Sequence, residues 1–179
     1  MTEVAAFAAW FGAAVIVLSD GRRGLALGLI VVSISFGVLA WVGGDRLAAG
    51  AVLLGGTVAA VARLRAGRDA WVFMPPGSTP RLVLSIGAGL FVLWIATSVM
   101  TGPGAQLRFA ALSVLSLMAA RVITATESAA VLTAIAALAL SVAVAAGVAD
   151  TSPGPAPYIA AALLAAGISL VRVREPNGT

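Results

Sequence analysis

The sequence predicts an all-α bundle of transmembrane helices, about seven in number, with six as the alternative. Three observations carry this. First, 61% of the 179 residues are apolar and only 10% are charged. Soluble domains average about 45–50% and about 25%. A chain this apolar has too little polar surface to clothe a water-facing globule. That excludes a soluble domain, a disordered chain and a nucleic-acid binder. Second, the apolar residues fall into seven runs of roughly the length that crosses a hydrocarbon core about 30 Å thick. Third, the 11 arginines, which supply all the basic side chains, divide unevenly between the two ends of those runs.

The first run, residues 2–18, is the marginal one. Glu3 precedes it and Arg22-Arg23 follow it. That is the reverse of a signal peptide, which carries its positive charge first, so the run is expected to stay as an anchor with the N-terminus outside. In the six-helix alternative it lies flat on the membrane. Residues 24–42 form the second helix, which opens with the GxxxG pair Gly24 and Gly28. Gly43-Gly44-Asp45 turns the chain into the third, residues 46–62. A loop over 63–81 follows. It holds Arg63, Arg65 and Arg68, then Trp71-Val72-Phe73-Met74, then Pro75-Pro76-Gly77. It reads as an interfacial loop, or as a segment that lies on an anionic leaflet or docks a partner.

The fourth run, 82–100, ends at Thr101-Gly102-Pro103-Gly104, which cannot continue a helix. The fifth spans 106–122 and the sixth 127–148. A proline–glycine loop from Asp150 to Pro155 then precedes the seventh, 157–171. Alternating sides along this order places nine arginines on one side and two, Arg46 and Arg108, on the other. The positive-inside rule then gives N-out and C-in in a bacterial plasma membrane. Helices 2–3, 4–5 and 6–7 form a faint repeat of hairpins, which any multi-span protein obeying that rule would show.

Helices in lipid associate by close packing, so small residues mark their contact faces. Helix 6 carries a candidate seam: Ala125, Ala129, Thr133, Ala137, Ser141 and Ala145 recur every fourth residue. Ala161, Ala165 and Ser169 repeat the spacing in helix 7. The plainer reading is that an alanine-rich sequence produces such stripes by chance.

Chemistry is sparse. The chain has no Cys and no His, so the usual ligands of zinc, iron–sulfur and haem sites are absent, as are Cys–His and Ser–His catalysis. No enzymatic activity and no cofactor are expected. Mid-membrane polar groups are hydroxyls such as Ser33, Thr133 and Ser141, which can bond their own helix carbonyls. The candidate ionisable sites are Glu127 and Arg121, at the join of helices 5 and 6. Glu127 fits the start of helix 6, where a carboxylate is favoured and Thr124 or Thr126 can cap. If the two helices are nearly continuous, Glu127 and Arg121 can pair within the membrane, as an ion pathway would require.

Residues 2–68 run through a short outer helix ending at Arg22-Arg23, a second helix, a brief outer loop and a returning helix ending in arginines. This resembles the three-helix K subunit of respiratory Complex I and the C subunit of multisubunit sodium/proton antiporters. The whole chain, with a second basic-then-helical unit from Arg121 through Arg174, is more similar to the E subunit of hydrogenase-4 and formate hydrogenlyase complexes. The resemblance implies a place in a membrane arm among larger subunits. It departs at the proton-carrying glutamate, about ten residues after the basic pair: Ser33 stands there, and Val131 at the equivalent distance from Arg121. The resemblance therefore implies a scaffold subunit of an ion-translocating redox or antiporter-type complex. Alternatives are a small stand-alone transporter or substrate-binding component, and a small membrane stress-resistance protein. Expected partners are membrane lipids and either other membrane subunits or further copies of the chain.

Overall fold

A computed structural model describes residues 1–65, 79–99, 102, 104–125, 127–149 and 154–171. These residues form seven α-helices: α1 (Thr2–Leu18), α2 (Arg22–Val42), α3 (Arg46–Arg65), α4 (Thr79–Val99), α5 (Ala105–Thr124), α6 (Ser128–Ala149) and α7 (Ala156–Leu170). Among the described residues, α2, α3, α5 and α6 are long and apolar enough to cross a membrane. The fold is thus all-α and compatible with a membrane protein. Most of the expected 63–81 loop, including Arg68 and the Trp71–Gly77 stretch, lies outside the described residues, as do Thr126, Arg172 and Arg174. Arg63 and Arg65 belong to α3, and Arg81 belongs to α4.

The α2–α3 turn shows how local chemistry fixes the chain. Gly43 N–H donates to the carbonyl of Leu39, Gly44 N–H to that of Trp41 and Asp45 N–H to that of Ala40. The last two bonds form a Schellman motif, which places Gly44 in the left-handed region at φ 91°. A side chain there would be strained, so glycine is required. Asp45 then caps α3, its Oδ1 accepting from Ala48 N–H at 2.9 Å.

The helices build two layers of three. α2 packs along α1 and α3 in the first layer, and α6 packs along α5 and α7 in the second. The layers stack in register: α1 faces α5, α2 faces α6, and α3 faces α7. Facing helices run the same way, because α1 and α5 meet at their C-terminal ends, as do α3 and α7. The structure thus groups α1–α3 in one layer and α5–α7 in the other. α4 is the connector. Among the described residues it packs only on α5 and α1. α1 is a full member of the bundle, burying Ala5, Ala9, Ala13 and Ile16, and does not lie flat on it.

Missing side chains allow these approaches. A Cβ on Gly28 would come within 2.7 Å of the Gly12 carbonyl, and one on Gly55 within 2.6 Å of the Ala162 backbone. A Cβ on Gly56 would reach 1.8 Å from the Ser33 hydroxyl. Close backbone contact of this kind replaces the hydrophobic effect as the cohesive force in lipid. In α6, the middle seam residues Thr133, Ala137 and Ser141 are fully buried, while Ala129 and Ala145 are partly buried. Ala125 is not part of α6: it is the extended C-cap of α5. α6 also buries Ala130, Ala134, Leu140 and Val144, because it contacts α5, α7, α2 and α3 at once.

Candidate functional site

The interface between the layers has two unlike ends. At the first, which we call the arginine end, two buried guanidinium groups cross from one layer to the other in opposite directions. Arg121, in the last turn of α5, is completely buried. Its Nη2 donates to the carbonyl of Ser19, the C-cap of α1, at 2.8 Å, and also to Asp20 Oδ1. Arg63, near the end of α3, is 3% exposed, and its Nη2 donates to the carbonyl of Ser169 in α7 at 2.8 Å. Each arginine thus meets carbonyl oxygens that a helix C-terminus leaves without intrahelical partners, at the negative end of the helix dipole.

Asp20 gathers the charges at this end. Arg81 Nη1 donates to its two oxygens at 3.1 and 3.0 Å. Two cations from α4 and α5 therefore share the carboxylate of the α1–α2 turn. Burial pushes the Asp20 carboxyl up, but its bonds to Arg121 and Arg81 and their charges outweigh this and hold it below the ordinary carboxylate value of 3.8. Among the described residues, Arg121 Nε and Nη1 and the Ser19 hydroxyl find no hydrogen-bond partner. The guanidinium is held at one nitrogen.

At the opposite end the layers part around a cleft of about 450 Å³. The first layer lines it with Leu39 and Ala40 from the end of α2 and with the Gly43-Gly44-Asp45 turn. The second contributes Leu107 of α5, Gly147 of α6 and Tyr158 of α7. Tyr158 is 4% exposed, and its hydroxyl lies where a Cβ on Gly147 would be, 1.8 Å away. Glycine at 147 therefore makes room for the phenol. Arg46 does not line the cleft, and its guanidinium lies 5.4 Å from the centre of the exposed Trp41 ring.

The residues singled out in the sequence take different places. Ser33 is buried, and its hydroxyl donates to the Leu29 carbonyl of its own helix at 2.7 Å, with Gly56 packed over it. Ala125 is extended (φ −79°, ψ 132°), so α5 and α6 are not continuous. Arg121 accordingly turns back to α1 and Asp20. Glu127 is partly buried just ahead of α6, where its carbonyl accepts the N–H groups of Ala130 and Val131.

Asp20, Arg63, Asp45 and Tyr158 were not among those residues. Their partners lie far off in sequence: 101 residues separate Asp20 from Arg121, and 106 separate Arg63 from Ser169. One faint signal existed, since Tyr158 is the chain's single tyrosine. The chain matches no protein-family model, no curated protein and no solved structure.

Proposed function

We propose that the chain is a non-enzymatic, multi-pass protein of the bacterial plasma membrane, N-terminus outside and C-terminus inside, acting as a small stand-alone transporter or ligand-binding component. One observation carries this reading. The interface between the two three-helix layers is closed by arginines at one end and open as a cleft at the other. Alternating-access transporters hold their ligands between two packed helical units and rock one unit against the other. The cleft also falls within the roughly 300–1,000 Å³ of ordinary small-molecule sites. In the proposed orientation the cleft faces outward and the staples face the cytoplasm.

Thiol labelling in reconstituted vesicles tests this, because the chain has no native cysteine. Ala40→Cys reports on the cleft and Ser169→Cys on the stapled end. The cleft position should label with an impermeant reagent, and Ser169→Cys should be protected. Adding Asp20→Asn weakens the staple, so cleft labelling should slow and Ser169→Cys labelling should rise. Unchanged labelling at both positions would mean a bundle of fixed shape and would remove the transporter reading.

A second reading has its own observation. α4 packs only on α5 and α1 among the described residues and leaves Leu84, Leu90, Phe91 and Trp94 exposed. In the scaffold-subunit reading, a neighbouring subunit of a redox or antiporter-type complex covers that face in place of lipid. Mild extraction from the native host, a native gel and mass spectrometry decide this: a large assembly supports it, and a particle of this chain alone removes it.

A further inference from the structure

We infer that the cleft selects a small organic cation with an apolar body. The inference rests on the proposal that the cleft is a ligand site. Among the described residues, Asp45 is the one charged side chain that lines it. Leu39, Ala40, Leu107 and Tyr158 line it beside the Gly43-Gly44 turn. A ligand that covers the carboxylate takes it from water, which is costly unless the ligand carries the opposite charge.

The sign of the lining charge favours a cation over an anion. The Asp45 carboxylate, capping α3 through Ala48 N–H, already answers the positive N-terminus of that helix. Leu39, Ala40 and Gly147 bring the last turns of α2 and α6 to the cleft, and Leu107 and Tyr158 bring the first turns of α5 and α7, so the remaining helix dipoles oppose one another there and the carboxylate decides the sign. The nearby cation of the same turn, Arg46, is engaged over Trp41 and does not line the cleft. Tyr158 adds an aromatic residue to the lining, of the kind that attracts ammonium groups.

Three probes of one shape separate charge from fit: 2-phenylethylammonium, 2-phenylethanol and phenylacetate. Binding is measured by calorimetry on the purified full chain, and each probe is also tested for slowing thiol labelling of Ala40→Cys. The ammonium should bind at least tenfold tighter than the alcohol and protect Ala40→Cys, with phenylacetate weakest. Asp45→Asn should abolish the preference without loss of fold, because asparagine caps a helix as well as aspartate. Tyr158→Phe should leave the preference in place. Equal binding of ammonium and alcohol with protection of Ala40→Cys would overturn the cation inference and leave the cleft as a ligand site. An unchanged ammonium affinity in Asp45→Asn would do the same. Binding of none of the three would overturn the cation inference, and unchanged labelling in the Asp20→Asn experiment would separately remove the transporter reading.

Discussion

At the arginine end of the layer interface, buried guanidinium groups and backbone carbonyls tie the two layers together. Arg63 reaches from the first layer to the second, and Arg121 from the second to the first. At the cleft end the first layer brings a glycine turn and one carboxylate, and the second brings a tyrosine seated over a glycine. The two ends divide tasks that a membrane bundle cannot perform with apolar packing alone. In lipid, leucine-rich faces have no reason to prefer each other over acyl chains. Buried ionic groups do have such a reason, because each is expensive without its partner.

The largest effect should therefore come from breaking one staple on one side only. Asp20→Asn leaves the completely buried Arg121 without its carboxylate. Removing one member of a buried pair costs about 3–5 kcal/mol. Thermal unfolding in detergent should show a fall of that order, and the double variant Arg121→Met, Asp20→Asn should recover part of it. No recovery in the double variant would mean that the arginine acts through packing alone. Next in size is the middle of the interface. Gly55→Leu must push α7 away from α3, because even a Cβ would stand 2.6 Å from Ala162. Overpacking of this kind costs about 1–3 kcal/mol, whereas Gly50→Ala, with open space around it, should not lower the melting temperature and should raise it slightly, since alanine is the better helix former.

Acid should act on one end and spare the other. The Asp20 carboxyl titrates below its ordinary value of 3.8 in the folded protein. Its contribution is fully present above that value and is lost as pH falls through the lower, folded one. Melting temperature measured from pH 7 down to pH 3 should therefore begin to drop below about 4. The Asp20→Asn variant should start lower and change less over the same range. Parallel curves for the two proteins would place the acid-sensitive group elsewhere.

The sequence made the helices legible, because their lengths and breaks are set by local hydropathy and by turns such as Gly43-Gly44-Asp45. Their ends shifted wherever charge was taken for loop. α2 starts at Arg22 and α3 runs on to Arg65, since arginine is itself a good helix former. The candidate site was much less legible. In a membrane sequence, arginines announce sidedness, and that signal hides the two that fold inward. Nothing local distinguishes the buried Arg121 from the exposed Arg23. The pairing of layers is likewise a matter of contacts across the chain, while the charge pattern has the period of a hairpin. Only the small-residue faces carried tertiary information, and they did so unevenly. The centre of the α6 stripe is buried, but so are the other faces of α6, because it sits in the middle of its layer.

The smallest expected effect tests whether the cleft end is built for stability at all. Asp45 has a structural role that needs only a capping oxygen, supplied through Oδ1 to Ala48 N–H. Asp45→Ala removes that bond, and a lost N-cap typically costs about 1 kcal/mol. Asp45→Asn should cost almost nothing. If capping were the whole role, the Asn variant would match the natural protein in every assay, ligand binding included. If the carboxylate also serves the cleft, stability and binding part company: Asp45→Asn melts like the natural protein and no longer distinguishes 2-phenylethylammonium from 2-phenylethanol. The arginine end admits no such separation, since Asp20 holds the fold by the same charge that pairs it with Arg121 and Arg81. An end whose charge can be removed without loss of fold is free to serve a ligand, and the stapled end is not.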